Sequence, residues 1–237
     1  MALNRKQKMN IPSTEEVFTN IYKSNGWKHK ESLHQPFYSG PGSYGCNADK
    51  YVELISDYIK QHNIKSVTDI GCGDFAIGQK IVSMNPSIRY NGCDVVKDLI
   101  MHNNEKYSTE SVNFFNIDAA KDKIPAADLL TIRQVLQHLS NAEINKILKN
   151  IKGFKYIIVT EHLLIEGSED SYNRDKKTND GFRLTEGSGV YLNQPPYNIP
   201  WQELLSCTDN IYVNNPENPT KYILKEAAIK SFLIKNV

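Results

Sequence analysis

The sequence predicts an α/β fold, a doubly wound and mostly parallel sheet with an antiparallel hairpin at its C-terminal end. Three observations carry this. From residue 66 to residue 160, short β-branched or aromatic runs alternate with helix-forming runs, the pattern of a parallel sheet covered on both faces. The run Val67-Thr68-Asp69-Ile70 passes straight into Gly71-Cys72-Gly73, where two glycines let the backbone come close to a ligand before a helix opens. Three successive strand-like runs each end in a carboxylate, at Asp69, Asp94 and Asp118.

Taken in order, residues 1–12 are polar and read as frayed. Ser13-Thr14-Glu15-Glu16 is the polar start of a helix that reaches about Lys23. Residues 28–47 are rich in Gly, Ser, Pro and aromatics and read as an ordered loop. Asp49–Gln61 is an amphipathic helix, with Val52, Ile55, Tyr58 and Ile59 spaced for one face. Strands follow at 66–70, 88–93, 112–117, 127–132 and 156–160, interleaved with helices at 76–84, 96–103 and 142–149. Residues 166–200 are long, polar and aromatic, with Gly167, Gly181, Gly187 and Gly189, and read as a substrate lid. Ile211–Asn214 and Tyr222–Ile229 are strand-like runs joined by a Pro- and Asn-rich turn at 215–220, which predicts an antiparallel hairpin closing the sheet edge. The chain reads as one domain: helix and covering loop at 1–48, core at 49–165, lid at 166–200, and closing hairpin at 201–237.

Composition narrows the class. With 237 residues and 40% hydrophobic content the chain can bury one sizeable core. A formal net charge of +1 gives no electrostatic case for nucleic acid or a membrane surface. No apolar run approaches a membrane span, and the first residues lack the apolar core of a signal peptide. Cys46, Cys72, Cys93 and Cys207 form no C-x-x-C pair, and the six histidines show no metal-ligand spacing. The expectation is a cytoplasmic protein with reduced thiols and no metal site.

The strand-end carboxylates define the ligand. In an open parallel sheet the ligand lies across the carboxyl ends of the strands, so Asp69, Asp94 and Asp118 can share one crevice. A carboxylate at Asp69, beside the glycine turn, repels a pyrophosphate but accepts hydrogen bonds from an ammonium group. That favours the amino-acid end of S-adenosylmethionine, with Asp94 on the ribose hydroxyls and Asp118 on the adenine amino group. Gly71-x-Gly73-x-x-Ala76 also satisfies the dinucleotide fingerprint, with Asp94 as its ribose carboxylate, so a nicotinamide oxidoreductase stays open on the glycines alone. Each Asp taken singly is also an ordinary helix cap or turn former.

With these residues the chain resembles the class I S-adenosylmethionine-dependent methyltransferases over about residues 13–237. Within them it is similar to a bacterial group associated with surface glycans. The segments that carry the likeness are Tyr22 and Trp27, Ser39-Gly40-Pro41-Gly42-Ser43, the glycine turn of residues 69–74, Arg133 through His138-Leu139-Ser140, and Pro195-Pro196-Tyr197-Asn198-Ile199-Pro200. The resemblance implies a seven-stranded sheet, S-adenosylmethionine as cofactor, and a cofactor set of Asp69, Gly71, Cys72, Gly73, Asp94, Val95, Asp118, Ala119 and Arg133. Trp27 and Ser43 cover it. It also implies a small-molecule acceptor from surface-polysaccharide assembly, either a sugar hydroxyl, nucleotide-linked among the options, or a charged decorating group such as a phosphoramidate.

Methyl transfer asks the protein to place a nucleophile and exclude water, and a hydroxyl acceptor benefits from a base. His162, at a strand end, is the first candidate, with Glu161 as its orienting partner. His138 is a second candidate, against the reading of a core histidine bonded to backbone. A charged acceptor would need cations instead, and Arg174 and Arg183 in the lid are candidates, with Tyr172 and Tyr191 available to stack on a substrate. Lys176-Lys177 beside Asp175 reads as a solvated run. The alternative to an enzyme is a cofactor-binding partner protein without catalysis.

Overall fold

The computed structural model describes residues 12–27, 32, 35–165, 169–215 and 218–234. The expected frayed start at residues 1–11, residues 28–31, 33 and 34 of the loop, 166–168 of the lid and 216–217 of the turn lie outside the described residues.

The chain opens with α1 (Thr14–Lys23). The Ser13 hydroxyl accepts the Glu16 amide at 3.2 Å while the Glu16 carboxylate accepts the Ser13 amide at 2.7 Å, a reciprocal cap that satisfies two orphan donors. Then come α2 (Cys46–Gln61), β1 (Ser66–Ile70), α3 (Ala76–Met84), β2 (Arg89–Asp94), α4 (Lys97–Tyr107) and β3 (Val112–Asn116). The second half holds β4 (Leu129–Arg133), α5 (Asn141–Asn150), β5 (Tyr156–Leu164), β6 (Trp201–Thr208), β7 (Ile211–Asn215), β8 (Asn218–Lys225) and β9 (Ala227–Ile234).

Seven strands form one sheet in the order β3-β2-β1-β4-β5-β9-β6. The first five are parallel, and β9 runs antiparallel to both its neighbours. Alternation along each strand splits the core between the two faces. Leu130, Ile132, Ile157 and Val159 pack with Phe18 and Ile21 of α1 and with Ile144 and Ile147 of α5. Val67, Tyr90, Leu129 and Ile158 pack with Val52 and Ile55 of α2 and Ile77 and Ile81 of α3. Truncating one such buried side chain to Ala costs about 2–5 kcal/mol. The strand order reverses between β1 and β4, and at that point the carboxyl ends of the strands open a crevice.

The C-terminal part differs from expectation. The predicted hairpin exists, but β7 and β8 form a separate two-stranded sheet rather than the sheet edge. The run 222–229 is broken at Glu226, so its start belongs to β8 and its end to β9. The edge is closed instead by β6, whose Trp201 stacks flat on Phe232 of β9 at 3.6 Å. The extra hairpin turns Val213, Ile211 and Ile223 onto Leu164, Leu184 and Ala227.

Residues 169–200 are packed, not extended. Buried Asn173 holds them, donating to the carbonyls of Tyr191 at 2.9 Å and Pro195 at 2.8 Å and accepting the Tyr191 amide at 2.8 Å. Glu143 of α5 ties the segment to the first helix, accepting the hydroxyls of Thr14 and Thr178.

Candidate active site

A cavity of about 390 Å³ lies at the carboxyl ends of β1, β2 and β4. The glycine turn shapes one wall. Gly71 and Gly73 have φ of 73° and 54°, in the left-handed region that favours glycine. Each also meets a close neighbour: a Cβ on Gly71 would strike Val135, and one on Gly73 would strike the Ser39 hydroxyl. The close approach of the residue 39–43 loop therefore depends on Gly73.

That loop is fastened at both ends. The Ser39 amide donates to Asp74 at 3.0 Å, and the Ser39 hydroxyl accepts the Asp74 amide at 2.7 Å and shares a 2.9 Å hydrogen bond with the Tyr22 hydroxyl. At the other end Arg133 donates to the Gly42 carbonyl at 2.7 Å, with its guanidinium 5.1 Å from the Tyr51 ring centre. Ser43 and Trp27 thereby join the cavity wall.

The strand-end carboxylates have distinct environments. Asp69 is buried and accepts the Tyr90 and Thr131 hydroxyls, both at 2.7 Å; burial raises its pKa against these two bonds and the nearby Arg133. Asp94 accepts the amides of Gly73 at 3.2 Å and Val96 at 3.0 Å, yet burial still pushes its pKa up to about 6. Asp118 accepts the Ala120 amide at 3.0 Å and pairs with Lys121 at 2.6 Å. Cys72, Val95 and Ala119 complete this side. Among the described residues, six carboxylates line the cavity (Asp69, Asp74, Asp94, Asp118, Glu143 and Asp209) against one guanidinium, Arg133.

Two histidines also line the cavity. His162 Nε2 lies 2.7 Å from the main-chain carbonyl of Asp209, and its carboxylate is 4.0 Å away. A carbonyl only accepts, so Nε2 carries the proton and Nδ1 the lone pair. Burial lowers the pKa of this imidazole, opposed by the Asp209 carbonyl and carboxylate, and keeps the ring neutral near pH 7. His138 is buried among the rings of Trp27 at 5.5 Å, Phe182 at 5.3 Å and Phe18 at 6.2 Å. Burial, with the Lys176 charge, drives its pKa down to about 4.

A family model described as the O-methyltransferase domain matches residues 49–182, more than half of the 237-residue chain. The chain belongs to the O-methyltransferase domain family. A search of curated proteins finds no match. The likeness to solved structures is one of fold. The N-methyltransferase NodS from Bradyrhizobium japonicum, in complex with S-adenosyl-L-homocysteine, has a TM-score of 0.53 at 11% identity, covering 91% of this chain and 98% of that one. The plantazolicin methyltransferase BpumL has a TM-score of 0.50 at 15% identity, covering 93% and 95%. Human N-acetylserotonin methyltransferase has a TM-score of 0.44 at 16% identity, covering 92% of this chain, which spans only 60% of that protein's length.

In this O-methyltransferase-family chain several expected site residues stand elsewhere. Glu161 does not orient His162. Successive side chains of β5 point to opposite faces, and the buried Glu161 carboxylate instead accepts the amides of Leu136 at 2.9 Å and Gln137 at 3.2 Å. Burial pushes its pKa up to about 8, against those two bonds and the Arg183 charge. Arg183 stands apart from the cavity lining: it is 1% exposed and donates to the carbonyls of Arg174 and Leu139. Arg174 is turned outward onto the Glu186 carbonyl. Tyr172 and Tyr191 pack on each other at 4.7 Å, with Leu163 and Phe232 beside them, so their rings build the lid rather than face the cavity. Among the described residues of the expected lid, only Phe182 reaches the cavity. Asp209 and Gln137 also line the cavity and are not among the expected site residues: the first precedes a hairpin expected to close the sheet edge, and the second sits in an apolar run.

Proposed function

We propose that this chain is an S-adenosylmethionine-dependent O-methyltransferase whose acceptor is a small polar molecule of bacterial surface-polysaccharide assembly, modified in the cytoplasm. One observation carries the reading: three strand-end carboxylates and a left-handed glycine turn converge on a single acidic cavity. Such a field suits a ligand bearing a sulfonium and an ammonium charge. It opposes the two phosphates of a dinucleotide, which sets the oxidoreductase reading aside.

In this reading Asp94 takes the ribose hydroxyls, Asp118 and Ala119 the adenine, and Asp69 with the Gly71-Cys72-Gly73 backbone the ammonium end. Asp69 keeps acceptor capacity for this, since a carboxylate offers about four lone-pair sites. The buried Nε of Arg133, which has no partner among the described residues, is a donor for the carboxylate end. Val95, Trp27 and Ser43 close the cofactor off from water. The bound cofactor supplies a methyl group already activated on sulfur. The protein's own work is to hold the acceptor hydroxyl in line and remove its proton. His162 Nδ1, with the proton fixed on Nε2 by Asp209, is the base for that step.

The acidic lining favours a hydroxyl acceptor over an anionic decorating group, because the cations expected to hold an anion, Arg174 and Arg183, are committed to main-chain carbonyls. The surface-glycan acceptor is supported by the resemblance of the 39–43, 133–140 and 195–200 segments. No helix among the described residues is long and apolar enough to cross a membrane, and no metal-ligating cluster is found among them.

The test is incubation of a nucleotide-linked metabolite pool with this protein and S-adenosylmethionine, read by mass spectrometry beside calorimetric titration of S-adenosylhomocysteine. A species heavier by one methylene is expected. Absence of both cofactor binding and product would overturn the proposal, and binding without product would favour a non-catalytic partner protein.

A further inference from the structure

Gln137 lines the cavity, is 4% exposed, and leaves its Oε1 buried with no hydrogen-bond partner among the described residues. Its orientation is fixed. The Nε2 amide donates to the Gln134 carbonyl at 3.3 Å and faces His138 Nε2 at 3.5 Å. Turning the amide over would set Oε1 against the Gln134 oxygen, so the carbonyl end is the one left free. From below, the Glu161 carboxylate accepts the Gln137 main-chain amide and anchors the 3-10 turn Leu136–His138. A buried acceptor held by two other residues and left unsatisfied calls for a ligand donor.

The surroundings define that donor. Phe18, Trp27 and Phe182 ring His138, and Trp27 Nε1, a donor in the same cavity lining, is a second buried atom without a partner among the described residues. A hydroxyl-bearing ring fits both needs, since each hydroxyl donates and accepts and a ring face packs against aromatic side chains. An anion fails the first need, because Gln137 Oε1 offers only lone pairs, and Glu143 in the same lining opposes its charge.

Building on the methyltransferase reading, we propose that Gln137 Oε1 is the hydrogen-bond acceptor of the methyl-acceptor subsite, and that this subsite takes an uncharged, hydroxylated ring. His138 acts through Gln137 as a positioning residue.

The test uses the full chain saturated with S-adenosylhomocysteine, probed by saturation-transfer NMR with methyl β-D-glucopyranoside and with glucose 6-phosphate. The uncharged probe is expected to give a signal that falls about fivefold in Gln137→Leu, the loss of one hydrogen bond. The same fall is expected in Phe182→Ala, a change in a half-buried wall that leaves the turn intact. S-adenosylhomocysteine affinity should stay within about twofold of wild type in both. No signal from the uncharged probe, an equal one from the phosphate, or a loss of cofactor affinity of about tenfold in Gln137→Leu overturns the assignment. Failure of wild type to bind S-adenosylhomocysteine would instead sink the methyltransferase reading beneath it.

Discussion

His162 and Asp209 meet across 2.7 Å, side-chain nitrogen to main-chain oxygen, and the contact joins β5 to the link between β6 and β7. Because the partner is a backbone carbonyl, the tautomer of the imidazole is set by the fold and survives substitution of the Asp209 side chain.

His162→Ala should lower turnover by about 100- to 10,000-fold with a hydroxyl acceptor, the usual range for a lost general base. S-adenosylhomocysteine affinity should change by less than about twofold. Asp209→Asn should cost far less, since the carbonyl remains. Initial rates beside calorimetry separate the two effects, and an equal rate in His162→Ala removes it as the base.

Cofactor affinity should depend on pH through Asp94. Its pKa is raised to about 6, and the ribose hydroxyls favour the ionised form. Affinity should be level above that pH and weaken as pH falls through it, by about tenfold per unit in the acid limb. Asp94→Asn should bind more weakly at pH 8 and lose this slope. A titration series with unchanged slope in the variant would contradict the assignment.

Stability should carry the signature of Glu161. Its folded pKa of about 8 lies above the ordinary glutamate value of 4.5, so the folded state retains a proton that the unfolded chain releases. This contribution is full below about pH 4.5 and is lost as pH rises toward 8. Glu161→Gln should flatten the fall of the denaturation midpoint across that window. A midpoint profile parallel to wild type would show that Glu161 titrates normally.

Arg183→Ala should lower stability by about 2–4 kcal/mol, because a buried carbonyl at Leu139 and a half-buried one at Arg174 lose a charged donor. The folded fraction should keep its kcat and KM. A selective rise in KM would return Arg183 to the acceptor site.

Gly73→Ala should strain the left-handed turn by about 1–3 kcal/mol and push Ser39 off Asp74. S-adenosylhomocysteine affinity should drop with it, by calorimetry, while the far-ultraviolet spectrum of the helices stays unchanged.

The sheet up to β5 was legible because short β-branched or aromatic runs alternate with helix-forming runs, and the first of them passes into the Gly71-Cys72-Gly73 turn. The crevice was legible for the same reason: Asp69, Asp94 and Asp118 fall at strand ends, and strand ends are where an open parallel sheet presents its ligand. What stayed hidden depends on contacts distant in sequence. Trp201–Thr208 is an edge strand with an irregularity between Glu203 and Leu205, so it lacks the alternation that marks a half-buried strand. Arg183 in Gly-Phe-Arg looks like a surface cation, and only folding brings the carbonyls of Arg174 and Leu139 around it. Gln137 reads as a neutral member of an apolar turn, and its unsatisfied oxygen exists only once Glu161 and Gln134 have fixed its direction.

The seven-stranded sheet is complete without β7 and β8, yet the link that introduces them lends Asp209, Asn210 and Ile211 to the cavity. Insertions, deletions and sequence drift in that appendage can therefore reshape the mouth of the cavity without touching a single pairing of the central sheet. Relatives that keep the scaffold and exchange the appendage would diverge in what they accept while unfolding at the same temperature.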